Sequence, residues 1–130
     1  MTLRCLIVDD STRFLEAARR LLERNGIEVA GVASTVAQAL DLIDQLRPDV
    51  TLVDIDLGGE SGFELVRRLQ QRPGPPPSRV ILVSTHAEDD FADLIAASAA
   101  IGFLSKADLS ADAIRDLLDR GGTGVGGGAG

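Results

Sequence analysis

The sequence predicts an α/β fold in which a five-stranded parallel sheet is covered by helices on both faces. Three observations support this class. Short apolar runs alternate five times with segments whose apolar residues recur at helical spacing. The runs are continuous in apolar character, which is typical of strands buried on both faces. Four of them end in acidic or other polar residues, as expected where parallel strands present side chains at their carboxyl edge.

Composition limits the range of functions. A chain of 130 residues with 45% hydrophobic content fits one globular domain. The formal net charge of −7 argues against nucleic acid as a partner, because phosphate binding needs a basic face. We expect no membrane segment and no signal peptide, since the apolar runs are short and acidic residues interrupt the first one. The single cysteine, Cys5, is expected in the core of a cytoplasmic protein.

The first half of the chain contains three predicted strands and two predicted helices. The first strand ends at Asp9-Asp10, and Asn25-Gly26 is a stop signal for the helix that follows. Thr35 with Gln38 forms a capping-box pattern at the start of the second helix. The third strand is followed directly by Asp54. The predicted strands cover residues 3–8, 27–33 and 50–53.

The second half repeats the alternation and adds turn-forming segments. Capping-box patterns at Ser61 with Glu64 and at Thr85 with Glu88 predict the starts of the third and fourth helices. Ser110 is the predicted cap of the last helix. The predicted strands cover 79–83 and 102–104, and a proline-rich connector covers 73–78. The fourth helix is predicted to open at Phe91 and to run through 96–100. The domain is predicted to cover 1–120, followed by a disordered glycine-rich tail at 121–130.

Strand order decides which strand ends meet. Right-handed crossovers leave few topologies. The order 2-1-3-4-5 of flavodoxin-like (βα)5 folds places the first and third strands side by side at the switch point. Asp9, Asp10 and Asp54 would then lie together, with Ser84 on the neighbouring strand and Lys106 one strand further out.

These side chains suit phosphoryl transfer. Three carboxylates in one pocket repel one another unless a cation neutralises them. A site of oxygen ligands without histidine or cysteine favours Mg²⁺. Asp54 at a strand end can attack phosphorus and form an acyl phosphate. Lys106 can then contact one phosphate oxygen as a point charge, and the Ser84 hydroxyl can donate to another.

Each residue also has a simpler local interpretation. Asp9-Asp10 can cap the first helix, and Asp54 can cap a turn. Ser84 can be an ordinary serine at a strand end, and Lys106 a solvated lysine. Their joint placement at four strand ends favours the functional interpretation. His86, the only histidine, has no ligand partner by spacing and is expected in an exposed loop.

With these motifs in place, the chain resembles a response regulator receiver domain of two-component signalling. The resemblance covers about residues 3–120, and five motifs occur in the order typical of that family. The matching segments are Leu6-Ile7-Val8-Asp9-Asp10, Pro48-Asp49-Val50-Thr51-Leu52-Val53-Asp54, Gly62, Val80-Ile81-Leu82-Val83-Ser84 and Gly102-Phe103-Leu104-Ser105-Lys106.

The resemblance implies roles for the acidic residues. Asp54 would be the phosphoacceptor, phosphorylated by a histidine kinase or phosphotransfer protein. Asp10 would bind Mg²⁺ directly and Asp9 through water. The backbone carbonyl of Asp56 would be the third protein ligand, with no catalytic residue beyond this set.

It also implies a switch. Ser84 would be the switch hydroxyl, Phe103 the switch aromatic and Lys106 the phosphate-binding lysine. The output would be the face formed by the fourth helix, the fifth strand and the last helix. That face would contact a partner, an output domain or a second copy of the chain.

Three positions depart from the family pattern. Gly58 replaces the usual proline, so we expect a more mobile loop. Ala107 also replaces a common proline, so we expect a trans bond after Lys106. Phe103 lacks the hydroxyl of the commoner tyrosine.

The segment Ala107-Asp108-Leu109 after the lysine resembles the corresponding segment of receivers that carry a helix-turn-helix output domain. The chain is therefore either a stand-alone receiver or part of a longer protein.

Two other functions fit parts of the sequence. Asp54-Ile55-Asp56 resembles the nucleophile motif of haloacid-dehalogenase-type phosphatases, but that family places its acidic metal pair after the lysine. A receiver fold that is never phosphorylated is the second alternative, and the complete acidic set argues against it. The sequence therefore predicts a signalling domain that is not itself an enzyme.

Overall fold

The computed structural model describes residues 2–75 and 77–127. Its centre is a parallel sheet with the strand order β2-β1-β3-β4-β5. This confirms the α/β class and the predicted order. The strands are β1 (Leu3–Val8), β2 (Ile27–Ala33), β3 (Val50–Asp54), β4 (Arg79–Ser84) and β5 (Gly102–Ser105).

Among the described residues, five helices connect and flank these strands, and one small hairpin lies outside the sheet. In the hairpin, Asp56–Leu57 pairs antiparallel with Glu60–Ser61. Short 3₁₀ turns cover Glu88–Phe91 and Lys106–Asp108. The helices are α1 (Thr12–Arg24), α2 (Val36–Leu46), α3 (Gly62–Gln70), α4 (Ala92–Ala97) and α5 (Ala111–Gly127).

The sheet is buried on both faces, as the continuous apolar runs predicted. Successive residues of β1 alternate between two clusters, with Leu6 in one and Ile7 in the other. All five residues of β3 are buried. Each fully buried leucine or isoleucine contributes about 1.5–3 kcal/mol through removal of apolar surface from water. Cys5 is buried as predicted, and burial raises the pKa of its thiol to about 12.

Two of the predicted caps form as expected. Thr35 Oγ1 accepts a hydrogen bond from the Gln38 N–H at 3.1 Å, and Ser110 Oγ accepts one from the Ala113 N–H at 3.0 Å. The Gln38 side chain accepts from the N–H of Ser34 at 2.9 Å, one residue before its expected partner. These bonds satisfy orphan donors at the helix starts and explain why the helices begin there.

The capping box predicted at Ser61 forms only in part. Ser61 Oγ accepts from the Phe63 N–H at 3.2 Å and starts α3. Glu64 does not complete the box, because its carboxylate pairs with Arg67 and Arg68 on the same helix face. Two nearby guanidinium groups compete with a single backbone donor, and they hold the pKa of Glu64 below its usual value.

The predicted cap of the fourth helix does not form, and the helix ends earlier than predicted. Thr85 is exposed, and the 3₁₀ turn Glu88–Phe91 begins without a side-chain cap. The helix α4 covers only six residues and stops well before residue 100. Ser98 ends it, because its hydroxyl donates to the Ile95 carbonyl at 2.8 Å and competes with the helical hydrogen bonds.

The C-terminal boundary was predicted at residue 120. The backbone of α5 is helical to Gly127, and residues 128–130 lie outside the described residues. The division into a domain at 1–120 and a disordered tail at 121–130 therefore stays a prediction. Among the described residues, no helix combines the length and apolar character needed to cross a membrane.

Candidate functional site

The sheet brings the predicted site residues to one edge. Four strands lie next to one another in the order β1-β3-β4-β5. Each of them ends at a predicted site residue or one residue before it. Asp9, Asp10 and Asp54 each place one carboxylate oxygen within 4.8 Å of the other two. Lys106 reaches the same cluster from the end of β5.

Asp9 and Asp10 differ sharply in exposure. Asp9 is 0% exposed, whereas Asp10 is open to solvent. Asp9 Oδ1 accepts a hydrogen bond from the Ser11 N–H at 2.8 Å, and Ser11 Oγ in turn caps α1 through the Phe14 N–H. The cap of α1 is therefore Ser11, and the local interpretation of Asp9 as the cap was wrong. Asp9 instead holds the backbone of the cap residue and belongs to the acidic cluster.

Lys106 links two of the carboxylates. Its Nζ lies 2.6 Å from Asp9 Oδ2 and 2.9 Å from Asp54 Oδ2, and 4.2 Å from the centroid of the Phe14 ring. Burial by itself lowers the pKa of this lysine, but the negatively charged carboxylates of Asp9 and Asp54 beside the ammonium group outweigh burial and raise it. With its side chain 15% exposed, Lys106 is not an ordinary solvated lysine.

Asp54 lies at the end of β3 and is 6% exposed. Its Oδ1 accepts from the Asp56 N–H at 3.0 Å, which is the turn contact that the local interpretation anticipated. Burial raises the pKa of Asp54, and the nearby charge of Asp9 adds to this. Lys106 and the Asp56 N–H act in the opposite direction without cancelling the rise. The Asp54 carboxylate is thus under-stabilised when ionised.

The cluster fits a divalent cation. Three carboxylates face one ammonium group, so negative charge is in excess. Asp9 Oδ2 is buried and, although close to Lys106, has no hydrogen bond of ordinary geometry. A cation held by Asp9, Asp10 and Asp54 would supply the missing positive charge to these oxygens. Oxygen-only ligands suit Mg²⁺, in agreement with the prediction from the sequence.

The turn after Asp54 explains one departure from the expected pattern. Gly58 has a φ of +76°, and its N–H donates to Asp56 Oδ1 at 3.1 Å. Proline is excluded on both counts, because its φ is fixed near −65° and it has no N–H. A Cβ on Gly58 would also lie 3.1 Å from Asp10 Oδ2. The predicted greater mobility of this loop stays a prediction.

Gly62 has a packing role that the sequence analysis did not identify. It is buried, and a Cβ there would lie 2.2 Å from the carbonyl oxygen of Asp54. Its N–H donates to the Ile55 carbonyl at 2.8 Å. Gly62 therefore lets the start of α3 pack directly on the backbone of the candidate phosphoacceptor. A glycine one residue after a helix cap was the only signal in the sequence.

Ser84 points toward its own loop. It is 2% exposed, its Oγ accepts from the His86 N–H at 3.0 Å, and the Oγ lies 3.4 Å from His86 Nδ1. His86 is exposed, as predicted, and its ring meets the Phe91 ring edge-on at 5.9 Å.

Phe103 is half-buried on β5 and packs against the apolar cluster. The predicted trans bond after Lys106 is confirmed, since no described peptide bond is cis.

The comparisons with known proteins agree with this architecture. Residues 5–119 match the model of the response regulator receiver domain family. The signal receiver domain of the response regulator NarL from Mycobacterium tuberculosis superposes with a TM-score of 0.79 at 30% identity, covering 92% of this chain and 96% of that one.

Two curated relatives are longer than this chain. A protein-glutamate methylesterase/protein-glutamine glutaminase of Syntrophomonas wolfei is 38% identical over 117 residues, which is 88% of this chain and 32% of the relative. The DNA-binding transcriptional activator EvgA of Escherichia coli K12 is 29% identical over 78% of this chain and 48% of its own length. The chain thus spans less than half of these relatives.

Proposed function

Because the chain belongs to the response regulator receiver domain family of two-component signalling, we propose that Asp54 accepts a phosphoryl group from a histidine kinase or a phosphotransfer protein. The observation that carries this proposal is the position of Lys106. Its ammonium group bridges Asp9 and Asp54 inside a cluster that still has excess negative charge. That arrangement suits a site that receives both a cation and a phosphoryl group.

The transfer follows from the charges on the site residues. The Asp54 carboxylate attacks phosphorus, an O–P bond forms, and the N–P bond of the donor histidine breaks with the electron pair returning to that nitrogen. Attack requires an ionised Asp54, which burial and Asp9 disfavour. Lys106 opposes this effect, and Mg²⁺ supplies further positive charge when bound. The proposed metal ligands are the carboxylates of Asp9, Asp10 and Asp54 together with the Asp56 carbonyl.

The signal leaves through a rearrangement near Ser84. A phosphoryl group on Asp54 offers strong acceptor oxygens, so the Ser84 hydroxyl turns inward and gives up its contact with His86. The half-buried Phe103 ring then moves into the space behind Ser84, driven by burial of apolar surface. Phosphorylation shifts a balance between two states, both of which are populated beforehand.

The output surface is the α4-β5-α5 face. The helix α4 has only six residues and none of them is buried, so little free energy holds it in place. Leu94 on this helix is 56% exposed. We propose that this face contacts a partner, an output domain or a second copy of the chain. The protein is proposed to act in the cytoplasm, and this domain is proposed to bind neither nucleic acid nor membrane. The receiver is proposed to end at residue 120, alone or within a longer protein.

The phosphatase alternative lacks support in the geometry. It needs an acidic metal pair that follows the lysine in the chain. Among the described residues, the acidic group able to hold a metal consists of Asp9, Asp10 and Asp54, all upstream of Lys106. The proposal is therefore a phosphorylated switch without multiple-turnover hydrolysis of phosphomonoesters.

Labelling with a small phosphodonor tests the proposal. With Mg²⁺ and an acyl or amidophosphate donor, intact-mass measurement should show one added phosphoryl group. Asp54→Asn should abolish the addition, whereas Asp41→Asn, which changes an exposed carboxylate on α2, should not. Equal labelling of Asp54→Asn and the wild type would show that the phosphoacceptor assignment is wrong.

A further inference from the structure

Helix α2 is held at its start by a side chain from the hairpin that follows Asp54. Glu60 Oε1 accepts a hydrogen bond from the Val36 N–H at 3.0 Å, across 24 residues of sequence. Val36 is the first residue of α2 and is 1% exposed. Its N–H is one of the donors that a helix start leaves unpaired, and a carboxylate there also complements the helix dipole.

The other side of the hairpin is attached to the acidic cluster. The Asp56 N–H donates to Asp54 Oδ1 at 3.0 Å, at the base of the hairpin. Leu57 pairs across the hairpin with Glu60 and is 4% exposed, within the same apolar cluster as Val36. The hairpin therefore connects the candidate phosphoacceptor to α2 through a few short contacts.

The turn of the hairpin also meets Asp10. A Cβ on Gly58 would lie 3.1 Å from Asp10 Oδ2, so the turn and this carboxylate are in close contact. Any tilt of the hairpin away from α2 would move both Gly58 and the Asp56 carbonyl relative to Asp10. The separation of these oxygen atoms depends on what holds the hairpin against the helix.

We propose that Glu60 is a positioning residue that couples cation binding at the acidic cluster to the first turn of α2. This inference rests on the proposed Mg²⁺ site. The Glu60–Val36 contact holds the hairpin where Asp10 and the Asp56 carbonyl face one cation. Because coupling between two equilibria is reciprocal, cation binding must strengthen the Glu60–Val36 contact by the same factor. The start of α2 thus responds to the site, separately from the α4-β5-α5 face.

Amide hydrogen exchange and Mg²⁺ titration on the full chain test this coupling. In the wild type, Mg²⁺ should slow exchange of the Val36 amide about fivefold. In Glu60→Ala, that amide should exchange about tenfold faster without metal, and Mg²⁺ affinity measured by NMR shifts should fall about fivefold. Glu60→Gln keeps an acceptor oxygen and should fall between the two.

The matched control is Glu23→Ala, which removes one exposed carboxylate near the end of α1, far along the helix from its start at Thr12. It should leave both the Val36 exchange rate and the Mg²⁺ affinity unchanged, which separates positioning from net charge. Glu60→Ala with wild-type Mg²⁺ affinity and an unresponsive Val36 amide would overturn the inference. If Asp10→Ala lost binding in the same series, the proposed metal site would still stand. Absence of Mg²⁺ binding in the wild type would overturn both.

Discussion

Removal of the Lys106 charge should lower the free energy of unfolding. The decrease should be smaller when Asp54 is absent. The substitution Lys106→Met keeps an apolar side chain of similar length and removes the ammonium group that lies 2.6 Å from Asp9 and 2.9 Å from Asp54. Asp9 is 0% exposed, so an ionised carboxylate there would lose its principal counter-charge. The free energy of unfolding should therefore fall.

The size of the loss follows from the burial of the pair. Breaking a fully buried ion pair costs about 3–5 kcal/mol, whereas exposed pairs contribute about 0–1 kcal/mol. The Lys106 side chain is 15% exposed, which places this pair between the two limits, and we expect about 2 kcal/mol. In urea this corresponds to a midpoint lowered by about 1 M. Mg²⁺ should restore part of the loss, because it supplies positive charge to the same carboxylates and binds only the folded state.

A double-mutant cycle isolates the interaction. In the Asp54→Ala background, Lys106→Met should cost about 1 kcal/mol less than in the wild type, because one of the two partners is already absent. The control Arg19→Met breaks an exposed pair with Glu23 and should change stability by less than about 0.5 kcal/mol. Equal losses from Lys106→Met in both backgrounds would refute the reasoning, since the lysine would then act through packing alone.

Four further predictions concern the same edge of the sheet. Without metal, Asp54→Ala should be neutral or stabilising by about 1 kcal/mol. The pKa of Asp54 is raised in the folded state above its ordinary value of 3.8, so its contribution to the free energy of unfolding is lost as pH rises from 3.8 through the folded pKa. Urea unfolding at a series of pH values across that window should show this decline in the wild type and not in Asp54→Asn. Gly58→Pro should lower the melting temperature by several degrees, whereas Gly59→Ala, where a Cβ meets nothing within 4 Å, should be tolerated. Asp10→Ala should weaken Mg²⁺ binding more than Asp9→Ala in an NMR titration, and unchanged affinity in both would contradict the metal site.

The sheet and the identity of the site were predictable because they depend on local patterns. Continuous apolar runs require burial on both faces, so β1, β3 and β4 were placed within a residue of their observed bounds. Parallel strands with right-handed crossovers bring their carboxyl ends to one edge. Asp9, Asp10, Asp54 and Lys106 could therefore be predicted to meet before any distance was known.

The helix starts show where local patterns stop being sufficient. Thr35 and Ser110 cap their helices as predicted, since the donors they serve are within three residues. The box at Ser61 fails in part because Glu64 has two arginine partners on the same helix face. The end of α4 was missed because the hydroxyl of Ser98 decides it.

By itself, then, the sequence determined the fold class, the strand order and the residue types that meet at one edge, because periodicity and chain connectivity are local properties. Only the tertiary structure decided how these residues share charge. Lys106 pairs with two carboxylates at once, Gly58 leaves room beside Asp10, and Glu60 reaches the start of α2 across 24 residues. Such contacts depend on distances of a few ångströms between segments far apart in the chain, and a single sequence carries no pattern that fixes them.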